Sequence, residues 1–337
     1  MRRRRFESCS GSFVIGRVVG SFVAVLALAS SFPRLSAQEA SSIEEVRERT
    51  LPEGEGLAAT FVGDREIGTH RDVIFADDFE TGELGAAWDE INDRGKALAL
   101  IDASSDVAAD TPGLLGRRSL QVTATLGENT GGGLTKWFES SDRLFIRFYT
   151  KFDDDCDYVH HFCTLRANKS LRGGERWSGF GGAGERPEGD ERFSTAIEPW
   201  GNWGVWPPPG RWNFYSYWHT MSASPDGKYW GNGFRPAEQE DIPRGRWICV
   251  EFMLQHNTPG KTDGEQAFWI DGKLQGHWRG FEWRTSPTLF ANAFTLESYV
   301  TDRWTKQSKN IVVFDNVVIA REYVGPSGSE RRPSSQR

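Results

Sequence analysis

Arg211-Trp212-Asn213-Phe214-Tyr215-Ser216-Tyr217-Trp218-His219 separates at period two into two faces. One carries Arg211, Asn213, Tyr215, Tyr217 and His219. The other carries Trp212, Phe214, Ser216 and Trp218. This is the pattern of a strand whose apolar back packs on a core and whose front presents a cation, an amide, two phenols and an imidazole in one row. Residues two apart on one face lie about 6.5–7 Å apart, so several of them can reach one small ligand.

Three further stretches have the same character. In Arg143–Phe152, Leu144, Ile146, Phe148 and Phe152 form an apolar face, and Arg147, Tyr149 and Lys151 the opposite one. In Tyr158–Arg166, Tyr158, His160, Thr164 and Arg166 share a face opposite Val159, His161, Cys163 and Leu165. That parity makes His161 a core histidine. In Arg192–Trp200, Ser194, Glu198 and Trp200 point one way. As neighbours, the four strands would build a groove floor of Arg, Lys, Tyr, His and Ser.

Strand patterns recur at Val73–Phe79, Ser119–Leu126, Arg246–His256, Glu265–Asp271, Phe290–Ser298 and Ile311–Ala320, and helical periodicity is nearly absent. Breakers fall between them: Gly131-Gly132-Gly133, Pro207 to Gly210, Pro225-Asp226-Gly227 and Asp271-Gly272. The last has the form of a type I′ hairpin turn. Many antiparallel strands imply an all-β fold, a two-sheet antiparallel jelly-roll sandwich with one concave, ligand-bearing sheet.

The ends of the chain differ from this body. Residues 1–37 have the form of an export signal: Arg2 to Arg5, the apolar run Val18 to Ala29, and Leu35-Ser36-Ala37 for cleavage. The run is too short to span a bilayer. Residues 38–71 read as a lead-in, with Ser42-Ile43-Glu44-Glu45 resembling a capping box for a short helix. Residues 72–324 are the β-domain, and 325–337 a disordered polar tail. The expected location is secreted or periplasmic, with no membrane association after cleavage.

The whole chain carries 40 basic and 47 acidic residues, net −7. Removing residues 1–37 takes away six Arg and one Glu, which leaves a net charge of −12. This disfavours a nucleic-acid partner, which needs a basic surface. Cys156, Cys163 and Cys249 remain after cleavage. They read as core thiols, with a Cys156–Cys163 disulfide as the alternative. All fourteen tryptophans lie from Trp88 onward, a density suited to stacking on sugar faces as well as to a sandwich core.

The floor carries no paired carboxylates of the kind glycoside hydrolysis needs, and no G-x-S-x-G motif. β-Elimination of a uronate polymer has other requirements. A positive or hydrogen-bonding group must neutralise the C6 carboxylate, a base must take the C5 proton, and an acid must protonate the departing oxygen. Tyr, His and Arg supply those types. No cofactor is required. Asp77 and Asp78 in an early strand and Asp315 in the last read either as caps of strand ends or as oxygen ligands of a structural calcium.

The residues also carry a resemblance. Arg246-Trp247, Asn257-Thr258-Pro259-Gly260, Asp263-Gly264 and Trp269-Ile270-Asp271-Gly272-Lys273-Leu274 resemble the ordered signature of family 14 polysaccharide lyases, whose architecture the family 20 glucuronan lyases share. Arg147 to Phe152, Gly181-Gly182 with Pro187-Glu188-Gly189, Phe193-Ser194 and Tyr215-Ser216-Tyr217 resemble further stretches, so the match covers about residues 140–320. It implies a concanavalin-A-like jelly roll, elimination on alginate or glucuronan, Tyr215 and Tyr217 as catalytic phenols, and Ser194 in the site. The family's Arg two residues beyond that Ser is here Ala196, and its Lys before the Leu is Thr164.

The expected catalytic set is therefore Tyr217 as base or acid, Tyr215 as its partner, and His160 with Arg166 on the carboxylate. Arg147, Tyr149, Lys151, Ser194, Glu198, Arg211, Asn213 and His219 are expected to bind substrate. A noncatalytic carbohydrate-binding jelly roll uses the same groove, and a glycoside hydrolase built around Glu198 is the third reading. The expected partner in every case is a polysaccharide.

Overall fold

The computed structural model describes residues 43–45, 51–102 and 116–328, all within one compact unit, Ala37–Arg337. The export-signal segment and residues 329–337 lie outside the described residues. In chain order the strands are β1 (Glu44–Glu45), β2 (Val73–Asp77), β3 (Glu90–Asn92), β4 (Leu98–Asp102), β5 (Arg118–Thr125), β6 (Gly131–Trp137), β7 (Arg143–Phe152) and β8 (Thr164–Asn168). They continue with β9 (Arg192–Trp200), β10 (Arg211–Tyr217), β11 (Asn232–Phe234), β12 (Trp247–Gln255), β13 (Gly264–Ile270), β14 (Lys273–Phe281), β15 (Phe290–Tyr299) and β16 (Lys309–Ala320). The only helical segments among the described residues are short 3₁₀ turns. None is long and apolar enough to cross a membrane.

Two antiparallel sheets form the jelly roll. One runs β11-β10-β9-β8-β15-β6-β3. The other runs β1-β14-β13-β12-β7-β16-β5-β4, with β2 also paired to β16. The core between them follows from alternation. Leu144, Ile146, Phe148 and Phe152 of β7, Phe193 and Ile197 of β9, Trp212 and Phe214 of β10, and Phe294 and Leu296 of β15 are all fully or almost fully buried in one cluster. A polar trio bridges the sheets. The Thr195 hydroxyl lies 2.8 Å from both the Ser216 hydroxyl and the Gln266 Oε1. It fastens the backs of β9 and β10, the strands that carry the phenols, to β13.

The nine-stranded sheet is covered on its outer face as well, which removes three residues from the expected groove. Arg147, Tyr149 and Lys151 alternate as anticipated, but β7 belongs to the sheet without Tyr215 and Tyr217. The Arg147 guanidinium is buried, pairs with Asp64, and donates to the Asn316 carbonyl at 2.8 Å. The Tyr149 hydroxyl accepts from Ser327 N at 2.9 Å. The cover is made of residues either side of the sandwich strands. Trp269 donates to the Pro52 carbonyl, Ala58 N to the Val324 carbonyl, and Val324 N and Gly325 N to the Glu251 carboxylate. Residues 51–71 and 325–328 are thus packed parts of the sandwich. Glu44–Glu45, expected to start a helix, instead pairs with Arg279 and Trp278 of β14, because that strand's outer edge offers unpaired backbone groups.

Asp271-Gly272 forms the expected two-residue turn between β13 and β14, with φ of 50° and 76°. Gly131-Gly132-Gly133, expected to be a turn, lies within β6. There the neighbouring backbones approach so closely that a Cβ on Gly133 would sit 2.4 Å from the Leu296 carbonyl oxygen. The three cysteines are free and buried.

Candidate active site

The cross-strand register of β8, β9 and β10 aligns three rows on the face away from the core. Tyr217 opposes Ser194, which opposes Arg166. Tyr215 opposes Ala196, which opposes Thr164. Asn213 opposes Glu198. Opposed side chains on one face are about 4.5–5.5 Å apart at Cβ, so the rows form a continuous floor. Above it lies a cleft of about 840 Å³ whose walls include His160, His161, Glu198, Asn213, Tyr215 and Tyr217.

The Tyr215 and Tyr217 hydroxyls are 3.3 Å apart, with their rings in edge-to-face contact. Gly231 makes this packing possible, since a Cβ there would lie 2.6 Å from the Tyr215 ring. Burial first, then the hydrogen bond and charge of Tyr217, push the Tyr215 phenol well above its ordinary range. Tyr215 therefore stays protonated, with a proton available to donate.

His161 is corrected from core to cleft. Regular strand begins only at Thr164. Before it, His160 N and His161 N both donate to the Tyr299 carbonyl, at 2.8 and 3.2 Å. Two successive amides on one acceptor break the alternation, and both imidazoles reach the cleft with ring centroids 4.3 Å apart. The His161 side chain is 42% exposed, and its Nδ1 is 3.3 Å from Glu198 Oε2. Its ring lies 5.7 Å from that of Tyr215 and stacks on Tyr299. Burial opposes the imidazolium, but the hydrogen bond and charge of Glu198 outweigh it and raise the His161 pKa. Burial pushes Glu198 up, against the pull of His161. His160 differs: burial, then the charges of His161 and Arg303, bring it down to about 4. His160 is therefore neutral near pH 7 and carries no charge to place on a carboxylate.

Arg166 stands in the Tyr217 row two strands away. Its guanidinium donates to the Thr295 hydroxyl at 2.6 Å, pairs with Glu297 at 3.0 Å and lies over the Phe180 ring. Ser194 is half-buried between it and Tyr217. Asn213 Oδ1 accepts from Arg235 at 3.1 Å. The two ends of the β10 row leave the cleft. Arg211 pairs with Asp241 at 2.6 Å over the Trp206 ring. His219 lines a separate cavity of about 660 Å³ with Arg186 and Glu188, 3.5 Å from Glu282.

The expected calcium ligands are engaged in local structure. Asp77 accepts from the Trp88 indole at 2.7 Å and from Phe79 N, Asp78 from Glu80 N, and Asp315 from the Ser119 hydroxyl and Asn316 N. No group of three or more His, Cys, Asp or Glu side chains among the described residues is placed to hold a metal ion.

Besides His161, alternation missed Tyr299 and the tryptophans 203, 230 and 304, all in the cleft wall or stacked on it. They sit on loops or at strand ends, where period-two reading carries no facing information. The residues at Thr164 and Ala196, where the lyase motif has cations, lie in the Tyr215 row and carry no charge.

Solved structures share this arrangement of sheets. A family 14 alginate lyase from Aplysia kurodai superposes with a TM-score of 0.53 at 13% identity, over 74% of this chain and 99% of that one. An alginate lyase from a Chlorella virus gives 0.51 at 15% identity, over 74% and 100%. The fold is the polysaccharide-lyase-like jelly roll. Identity this low shows the fold alone. No family model matches the chain, and no curated protein matches it.

Proposed function

We propose that this is a secreted polysaccharide lyase-like enzyme that cleaves a uronate-containing polysaccharide by β-elimination. The observation that carries this reading is the convergence of the Tyr215–Tyr217 hydroxyl pair and the His161–Glu198 pair in one cleft. The Tyr217 phenolate takes the C5 proton. The C5–H electron pair becomes the C4=C5 double bond, the C4–O bond breaks, and the Tyr217 phenol returns the proton to the departing oxygen. Tyr215, held protonated, donates to the Tyr217 oxygen and stabilises its phenolate. The His161 imidazolium lies on the substrate carboxylate, supplying the charge absent at Thr164 and Ala196. Glu198 orients that ring and sustains its charge. Arg166, compensated by Glu297, and neutral His160 complete the floor as hydrogen-bond donors.

The test is incubation with alginate, glucuronan and other uronate polymers, followed by the ultraviolet absorbance of the unsaturated product. Growth of that absorbance is expected, and its absence across the panel contradicts elimination. The empty charge positions at Thr164 and Ala196 favour the second reading, a noncatalytic carbohydrate-binding module, for which binding without product is the expected result.

A further inference from the structure

Trp200 lies six residues along β9 from Ser194, about 20 Å from the Tyr217 row. Around it stands a cluster of indoles. Trp206 meets it edge-on at 5.2 Å, Trp203 at 6.4 Å, and Trp304 lies 5.3 Å from Trp203. Trp203 is 71% exposed and sits in a left-handed backbone conformation, φ 59°, after Asn202 at 48° and before Gly204 at 84°. That conformation is unfavourable for a bulky side chain, and exposing an indole is unfavourable again. Both are tolerated to hold a flat apolar ring at the cleft wall.

The charges along the cleft explain what such a ring would meet. Two carboxylates, Glu198 and Asp226, face two guanidiniums, Arg235 and Arg303, and the His161 imidazolium, which leaves little net charge along the cleft. Both guanidiniums lie against indoles, Arg235 at 3.9 Å over Trp200 and Arg303 at 4.9 Å over Trp304. A polymer charged at every sugar would need a basic cleft along its whole length. The face of an aromatic ring carries the negative end of its quadrupole. It therefore disfavours a carboxylate and suits the C–H face of an uncharged pyranose.

We infer that Trp203 with Trp304 forms a subsite for an uncharged pyranose, so that the polymer recognised is a heteropolysaccharide in which neutral sugars accompany the uronate. The uronate at Tyr217 rests on the elimination reading; the tryptophan subsite stands independently of it.

The experiment measures binding, not turnover. Isothermal titration of the Tyr217→Phe protein, with and without Trp203→Ala, uses two probes: an oligosaccharide of alternating glucuronate and neutral hexose, and an oligoglucuronate of equal length. Trp203→Ala should weaken binding of the mixed oligosaccharide by about five- to tenfold and of the oligoglucuronate by less than about twofold. Trp203→Phe should restore most of the loss. Equal losses on both probes, no loss on either, or no binding of either probe overturns the inference. Trp203-dependent binding by a protein whose Tyr217 form releases no unsaturated product would instead sink the elimination reading and leave the subsite standing.

Discussion

The hydroxyl of Tyr215 lies 3.3 Å from that of Tyr217, and burial keeps the Tyr215 phenol protonated. The proposed elimination makes Tyr215 the hydrogen-bond donor and Tyr217 the proton-transfer group. Tyr217→Phe should reduce kcat by about 10³-fold or more, and Tyr215→Phe by about 10–100-fold with KM little changed. Steady-state kinetics of the two variants decides this order, and a larger loss at Tyr215 would reverse the assignment.

Glu198 raises the pKa of His161 above its ordinary value. The imidazolium is then present at low pH and lost as pH rises through that raised pKa, which sets the basic limb of the kcat/KM profile. Glu198→Gln removes the carboxylate's charge and lowers the His161 pKa. The basic limb should move to lower pH, with the fold retained. A limb that stays in place would show that His161 acts uncharged.

Asp64 and Arg147 are buried partners on the outer face of the nine-stranded sheet, remote from the phenols. Removing one member leaves a buried charge uncompensated, which costs about 3–5 kcal/mol. Asp64→Asn should lower unfolding free energy by about that amount in urea titrations, while kcat and KM of the folded protein at low temperature stay unchanged. Lost activity with intact stability would put Arg147 back in the site.

His256 is buried. Its Nε2 accepts from Ala291 N at 2.9 Å, and its Nδ1 faces the Asp142 carbonyl. Burial brings its pKa down to about 3 from 6.5. The folded value lies below the unfolded one, so its contribution is complete above pH 6.5 and is lost as pH falls toward 3. The loss is at most roughly 5 kcal/mol by linkage. Urea titrations between pH 7 and 4 should show this fall, and His256→Gln should flatten it.

The fold was legible because alternation reports which side chains face a core. β7, β9 and β10 obey it, and Asp271-Gly272 announces its own turn. Alternation does not say which sheet a strand joins or what covers the other face. Arg147 and Tyr149 therefore look like groove residues, although the chain segments around Asp64 and Ser327 bury them. His161 escaped for a local reason: the shared Tyr299 carbonyl breaks parity just before Thr164. Gly131-Gly132-Gly133 looks like a turn because the close backbone contacts that require glycine come from other strands: β15, more than 160 residues away, at Gly131 and Gly133, and Asn92 of β3 at Gly132.

Product stoichiometry on a uronate-containing heteropolysaccharide decides whether elimination takes place at Tyr217. One ultraviolet-absorbing unsaturated end is expected for every new reducing end, and neither from Tyr217→Phe, although that variant still binds the polymer. New reducing ends without the chromophore, or tight binding with neither, would contradict elimination.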